Sequence, residues 1–340
     1  MSTCFSSLLR SVNRPNNSIL NILLINTDER FQWMLSKTGH NFYIPSVNQV
    51  PNWNTDIREI PNNCFLLQGA SLQEQLGETA FDLILCQDRA RDYLLLANLA
   101  VKFSCPIISI NSFLPLENWN QFFVQSLADQ VYNSQVFCSK FVCNSSGLDE
   151  NDHVIIPKCV DEELFSGWWE GGDGKILTVV DFYPGRKSAG FNIWKDMCKV
   201  CKMNPVGLSP GLSNPPKDID DLVDIYRKCS VFLNTSTWLS CPIQLLEAMS
   251  VGCPVVTTKN TDIQDIVVNG ENGFASNDVG ELISYTEMLI KDKNLAKKLG
   301  DNARKTIVKD FSQSVFTQKW NELFYREIDR PCSLITESVC

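Results

Sequence analysis

The sequence predicts an α/β protein made of two doubly wound domains that face each other across a cleft. Three observations predict it. The chain has 340 residues, room for two domains of ordinary size. Short, near-continuous apolar runs alternate with helical stretches, as in parallel sheets covered on both faces. The alternation breaks off at a cluster of glycines and then restarts.

In chain order, Leu20–Ile25 reads as a first strand and Glu29–Lys37 as the helix after it. Phe81–Cys86, Pro106–Ile110 and Gln135–Cys138 read as further strands, with helices over Arg89–Lys102 and Trp119–Ala128. A last strand runs out near Val154, in the segment VIIPKCVDEELF, and Gly167, Gly171, Gly172 and Gly174 follow as a linker by composition. The second half opens on the strand KILTVV (Lys175–Val180) and continues with strands at Val231–Asn234 and Pro254–Thr258. Helices are expected over Phe191–Met203, Pro242–Val251 and Ile263–Val267. Helical spacing recurs from Val279 to Ile290, from Leu295 to Ile307 and over Phe311–Arg326. Pro331–Cys340 shows no pattern and is expected to fray. The expected domains are 1–165, 166–315 and a closing helix with tail at 316–340.

Composition narrows the function. Apolar residues make up 44% and charged residues 20%, which suits a packed core. No apolar run reaches the ~18 residues of a spanning helix. Arg10 and Arg14 follow the short apolar patch Phe5–Leu9, the reverse of a secretory signal, so a soluble, cytoplasmic protein is expected. Fourteen cysteines in such a setting read as reduced thiols, and Cys86, Cys105 and Cys138 fall in or beside strand-like runs as small hydrophobes. Net charge is −9, of which the first 165 residues carry −7. That acidic half disfavours a polyanionic partner, although Arg10, Arg14, Arg30, Arg58, Arg89 and Arg91 could gather into a local basic patch.

Open sheets of this kind bind ligands at the carboxyl ends of their strands. The densest signal there is Asn234–Thr258, NTSTWLSCPIQLLEAMSVGCPVVTT. A strand ends at Asn234, a polar loop follows, and Pro242 opens a helix whose first amides suit a diphosphate. Glu247, one to two turns inside, can accept two hydrogen bonds from a ribose diol if the helix faces a nucleotide. On local pattern alone, a surface carboxylate is equally good.

LLEAMSVGCPVV, the Asp-Ile-x-x-Ile-Val turn and NGENGF together resemble the signature of retaining group 1 glycosyltransferases of GT-B fold, family-four-like. VIIPKCVDEELF resembles the family's inter-domain segment, LVDIYRKCSVFLNTS the helix and strand before the donor site, and LGDNARKTIVKDFS with KWNELF the closing helices. The resemblance covers Val154–Phe324 and reaches the first half only by architecture. It implies two Rossmann-like domains and a hexosyl- or pentosyltransferase that uses a nucleotide-sugar, a UDP-sugar being expected, with no cofactor and no metal. It implies that Glu247 binds the ribose hydroxyls and that Ser240, Cys241, Pro242 and Ile243 present amides to the diphosphate or sugar. Gly207 and Leu208 would lie against the nucleobase, and Arg186 and Lys187 would neutralise the leaving diphosphate. Two departures stand out. Leu239 occupies the place of the family's second acid, and Ala189 precedes Gly190 where a Lys is usual.

The acceptor is expected in the first domain, on the strand-end loops Thr27, Asp28, Glu29, Arg30 and Gln87, Asp88, Arg89, with Asn111, Ser112, Ser139 and Lys140 as lesser candidates. Asp28 or Glu29 would orient the acceptor hydroxyl, and helix capping is the plainer role for the same acids. Saccharides or glycans are the expected acceptors. The alternatives are a phage-type enzyme acting on hydroxymethylated bases in DNA, a non-catalytic binding protein of the same fold, and a sugar-nucleotide epimerase. Lookalikes carry less. Asp218-Ile219-Asp220 imitates a metal-binding motif but stands at a helix start, and Cys198-Lys199-Val200-Cys201 lacks a second pair at zinc spacing. Neither His40 nor His153 has a partner at recognisable spacing, so both read as structural.

Overall fold

The computed structural model describes residues 18–25, 29–45, 53, 59–67, 79–87, 98–99, 102–103, 105–112, 132–237, 242–259 and 262–329. The chain divides into two compact units, Met1–Ile156 with Thr317–Cys340, and Pro157–Phe316.

The first unit is built on a seven-stranded parallel sheet in the order β3-β2-β1-β4-β5-β6-β7. Its strands are β1 (Asn21–Ile25), β2 (Asn41–Pro45), β3 (Cys64–Leu67), β4 (Leu83–Gln87), β5 (Ile107–Asn111), β6 (Ser134–Phe137) and β7 (Val154–Ile155). The central strands are apolar on both faces, and β4 is buried at all five positions. Such strands need helices on either side. Helix α1 (Glu29–Ser36) follows β1, and α2 (Lys140–Ser145) follows β6 behind a Ser139 cap whose hydroxyl accepts the Val142 amide. The order of strands reverses between β1 and β4, whose ends run level at Ile25 and Cys86.

The second unit holds a five-stranded parallel sheet, β12-β11-β10-β8-β9. Its strands are β8 (Ile176–Val179), β9 (Met203–Val206), β10 (Val231–Asn234), β11 (Val255–Thr257) and β12 (Phe274–Ala275). On one face Leu177, Phe232 and Val255 pack against Tyr226, Leu245 and Met249 from helices α4 (Ile219–Lys228) and α5 (Ile243–Ser250). On the other, Ile176, Val231, Leu233 and Val256 meet α3 (Phe191–Met197), α7 (Val279–Lys291) and α8 (Lys293–Asp310). Short α6 (Ile263–Ile266) follows β11, and long α9 (Gln313–Asp329) starts in this unit and belongs to the first unit from Thr317 on. The reversal of strand order here falls between β8 and β10, and a crevice for a ligand forms at such a reversal.

Several expectations change. The helix expected over Phe191–Met203 stops at Met197, because Met203–Val206 pairs with β8 as an edge strand. Strands β2 and β3 were not expected. The first starts on Asn41 and ends on Pro45, and the second has four residues, so neither shows a run of apolar residues long enough to read. The glycine-rich stretch expected to link the domains lies within the second unit and is fastened to α4. The Glu170 amide donates to Arg227, the Asp173 amide to Lys228, and the Gly174 amide to Ser230 Oγ. The expected boundary residue, Phe165, is buried in that unit's core. The expected helix at Trp119–Ala128 and the tail Pro331–Cys340 lie outside the described residues, as does most of Arg89–Lys102.

Candidate functional site

The carboxyl ends of β8, β9 and β10 are tied together by hydrogen bonds. After β8 the chain makes two short 3-10 turns, Tyr183–Gly185 and Lys187–Ala189, and then enters α3 at Gly190. Tyr183 is fully buried, and its hydroxyl pairs with Thr235 Oγ1 just past β10. Burial pushes the Tyr183 phenol well above its ordinary range, so it stays protonated as a structural hydroxyl. Thr235 Oγ1 also donates to the Ala189 carbonyl at 2.7 Å, and the Thr237 amide donates to Ser188 O at 2.8 Å.

Gly190 explains how close these loops come. Its φ is +69°, and a Cβ there would stand 1.8 Å from the Thr235 carbonyl oxygen. Only glycine fits. Gly207, past β9, is similar: φ is +127°, and a Cβ would lie 2.4 Å from Val180 O. The same β9 loop is bonded to the β8 loop, with Tyr183 N donating to Ser209 Oγ (3.0 Å) and Leu208 N to Asp181 Oδ1 (2.7 Å).

Arg186 and Lys187 ride on this braced turn. Both are exposed, and among the described residues neither has an ion pair. They are two cations beside the strand-order reversal, where an anion would enter. The β10 loop is equally well held: Asn234 bridges Ser236 Oγ (2.7 Å) and Thr257 Oγ1 (2.9 Å). Beyond it Pro242 caps α5 with no side-chain acceptor on the helix amides, and Ile243 begins the helix. Ser240, Cys241 and Leu239 lie outside the described residues.

Glu247 sits in the second turn of α5 and is only 6% exposed, so it is not the surface carboxylate its local pattern equally allowed. Its Oε2 accepts a 2.8 Å hydrogen bond from the Tyr226 hydroxyl of α4. Tyr226 is itself fixed edge-on between Phe165 and Phe232. Sequence reasoning missed Tyr226, although LVDIYRKC at helical spacing marks it as a core position. It also missed Thr235, whose value lies wholly in tertiary contacts.

In the first unit, Glu29 opens α1, Arg30 beside it is exposed, and Gln87 ends β4, so all three stand at the reversal between β1 and β4. Thr27, Asp28, Asp88 and Arg89 lie outside the described residues. His40 is structural. It is buried, its Nδ1 accepts the Leu20 amide at 3.2 Å, its ring packs on Phe324 and Tyr325, and burial lowers its pKa to about 4. Asp218 is the N-cap of α4, accepting the Asp221 amide at 2.8 Å.

Residues 215–306 match the family model for glycosyl transferases group 1. Over that segment the chain is similar to group 1 glycosyl transferases. The matched segment holds α4, β10, α5 and Glu247, while Arg186, Lys187, Gly207 and Leu208 lie ahead of it. Over 109 residues the chain is 32% identical to the capsular polysaccharide biosynthesis glycosyltransferase CapM of Staphylococcus aureus, covering 32% of this chain and 28% of that one. It is 24% identical to N-acetyl-alpha-D-glucosaminyl L-malate synthase of Bacillus anthracis over 31% of this chain and 28% of that one. The chain thus spans less than a third of the length of these curated relatives. In fold it is similar to Anabaena HepE, solved in complex with UDP, at a TM-score of 0.73 and 15% identity over 91% of this chain and all of that one. Sucrose-phosphate synthase from Thermosynechococcus elongatus aligns at 0.71 and 14% over 90% of this chain and 98% of that one. The architecture, two Rossmann-like units with parallel sheets, is GT-B.

Proposed function

We propose that the protein is a retaining glycosyltransferase that moves a sugar from a nucleotide diphosphate donor, a UDP-sugar, to a hydroxyl of a saccharide or glycan acceptor. The observation that carries the reading is the braced turn at the β8–β10 reversal, which holds Arg186 and Lys187 in the open beside the loop that follows β10. HepE binds UDP on the same fold.

In this reading the second unit holds the donor. Arg186 and Lys187 meet the diphosphate, whose negative charge grows as the glycosidic bond breaks. The first N–H groups of α5, from Ile243 on, and those of the preceding Ser240 and Cys241 point their dipoles at the diphosphate, Pro242 having none to give. Glu247 accepts the ribose hydroxyls, and Tyr226 fixes the carboxylate that does so. Gly207 and Leu208 lie against the base. Glu29, Arg30 and Gln87, with Thr27, Asp28, Asp88 and Arg89, hold the acceptor. The acceptor hydroxyl attacks on the face the diphosphate leaves, and a phosphate oxygen takes its proton. No enzyme nucleophile is needed, so positioning and charge stabilisation carry the rate.

The test is release of UDP from a panel of UDP-hexoses and UDP-pentoses, with and without saccharide acceptors. The account expects release with at least one donor. Glu247→Ala should cut it by about tenfold or more, the loss expected when hydrogen bonds to a charged group disappear. Release that Glu247→Ala leaves intact would overturn the ribose assignment, and no release with any donor would overturn the activity.

A further inference from the structure

Phe182 stands out at the end of β8. Its φ and ψ are 52° and 39°, and it is the sole non-glycine with positive φ among the described residues. A bulky side chain seldom occupies that region, and strain of this kind persists where the surrounding structure enforces it. Here the bonds around it do so: the Phe182 amide donates to Leu208 O at 2.8 Å, and the amides of Gly185 and Arg186 both donate to the Phe182 carbonyl. Burial does not repay the strain, because the side chain is 59% exposed. Its backbone partner Leu208, on the β9 loop, is 47% exposed. Two large apolar side chains are thus held in water at the carboxyl ends of adjacent strands, four residues ahead of Arg186.

Several backbone donors of these two loops are already used. Gly207 N donates to Asn214 O, Leu208 N to Asp181, Ser209 N to Ser213 O, and Tyr183 N to Ser209 Oγ. What the loops offer a ligand is apolar surface next to two cations. A molecule with a flat, weakly polar face and an anionic tail fits that pair of features, and a nucleoside diphosphate is one. We propose that Phe182, with Leu208 beside it, is the platform on which the donor's nucleobase stacks, so that the base is held by its face. The inference rests on the donor-site reading above.

Calorimetric titration of the full chain with UDP, 5,6-dihydro-UDP and inorganic pyrophosphate tests it. Phe182→Ala should weaken UDP about tenfold or more, in line with the loss of one base–aromatic stack, and leave pyrophosphate unchanged. Phe182→Trp should bind UDP at least as tightly as the wild type. Dihydro-UDP, which keeps the edge groups but loses the flat aromatic ring, should bind the wild type about tenfold more weakly than UDP. Phe182→Gly, which relieves the left-handed strain, should melt no lower than wild type and still bind UDP as poorly as the alanine variant. Equal UDP affinity in Phe182→Ala, or equal losses for UDP and pyrophosphate, would overturn the platform. Failure of wild type to bind any of the three would instead overturn the donor site itself.

Discussion

Replacing Tyr226 by Phe removes one hydroxyl and nothing else. The ring keeps its place between Phe165 and Phe232, so no cavity opens. What is lost is the 2.8 Å hydrogen bond to Glu247 Oε2, on a side chain that water barely reaches. Hydrogen bonds to charged groups are worth about 1.5–3 kcal/mol. For a unit of this size each kcal/mol moves the melting temperature by about 2–4 °C, so the second unit's transition should fall by about 3–12 °C. Calorimetric melting of Tyr226→Phe, Glu247→Ala and the double variant measures it. The account expects the two substitutions to be strongly non-additive, because each breaks the same bond. Tyr226→Phe should also weaken UDP, since the carboxylate proposed to meet the ribose is no longer fixed. A transition unmoved by Tyr226→Phe, or fully additive effects, would refute the reasoning.

Two further outcomes follow from other parts of the fold. Gly190→Ala must place its Cβ against the Thr235 carbonyl in a left-handed backbone, which should cost about 2–4 kcal/mol and separate the β8 loop from the β10 loop. Urea unfolding with an unchanged midpoint would contradict that. His40 has a folded pKa of about 4 against an ordinary 6.5, so the unfolded chain takes up a proton that the folded chain refuses. Stability should therefore be fully present above pH 6.5, fall as the pH drops from 6.5 towards 4, and level off below, with a total change of up to about 3 kcal/mol. In His40→Phe that part of the pH dependence should vanish, and an unaltered slope would place its origin elsewhere.

The sequence was legible where local pattern and tertiary role coincide. The strands at Val231–Asn234 and Pro254–Thr258 are apolar on both faces because helices cover both, and that shows without a structure, as does the buried apolar run of Leu20–Ile25. β2 and β3 escaped because a four- or five-residue strand near the sheet edge carries too little pattern. The helix from Phe191 was read too long, since Cys198–Met203 has no signal against helix strong enough to foretell pairing with β8. In the site, position in the chain and resemblance single out Glu247, Arg186 and Lys187 as candidates, and the structure adds that the first is buried and the other two exposed. They do not single out Tyr226, Thr235 or Phe182. Tyr226 acts across 21 residues and Thr235 across 46 and 52, and the left-handed backbone of Phe182 depends on bonds to a different strand.

The central claim is that the braced turn after β8 receives the donor's diphosphate. Titrating UDP into the wild type and into an Arg186→Ala/Lys187→Ala variant tests it most directly, with uridine as the ligand that lacks the diphosphate. The account predicts that the variant loses about tenfold or more in UDP affinity, the loss shrinking as salt rises, while uridine binding is unchanged. UDP bound equally well by both proteins would contradict it.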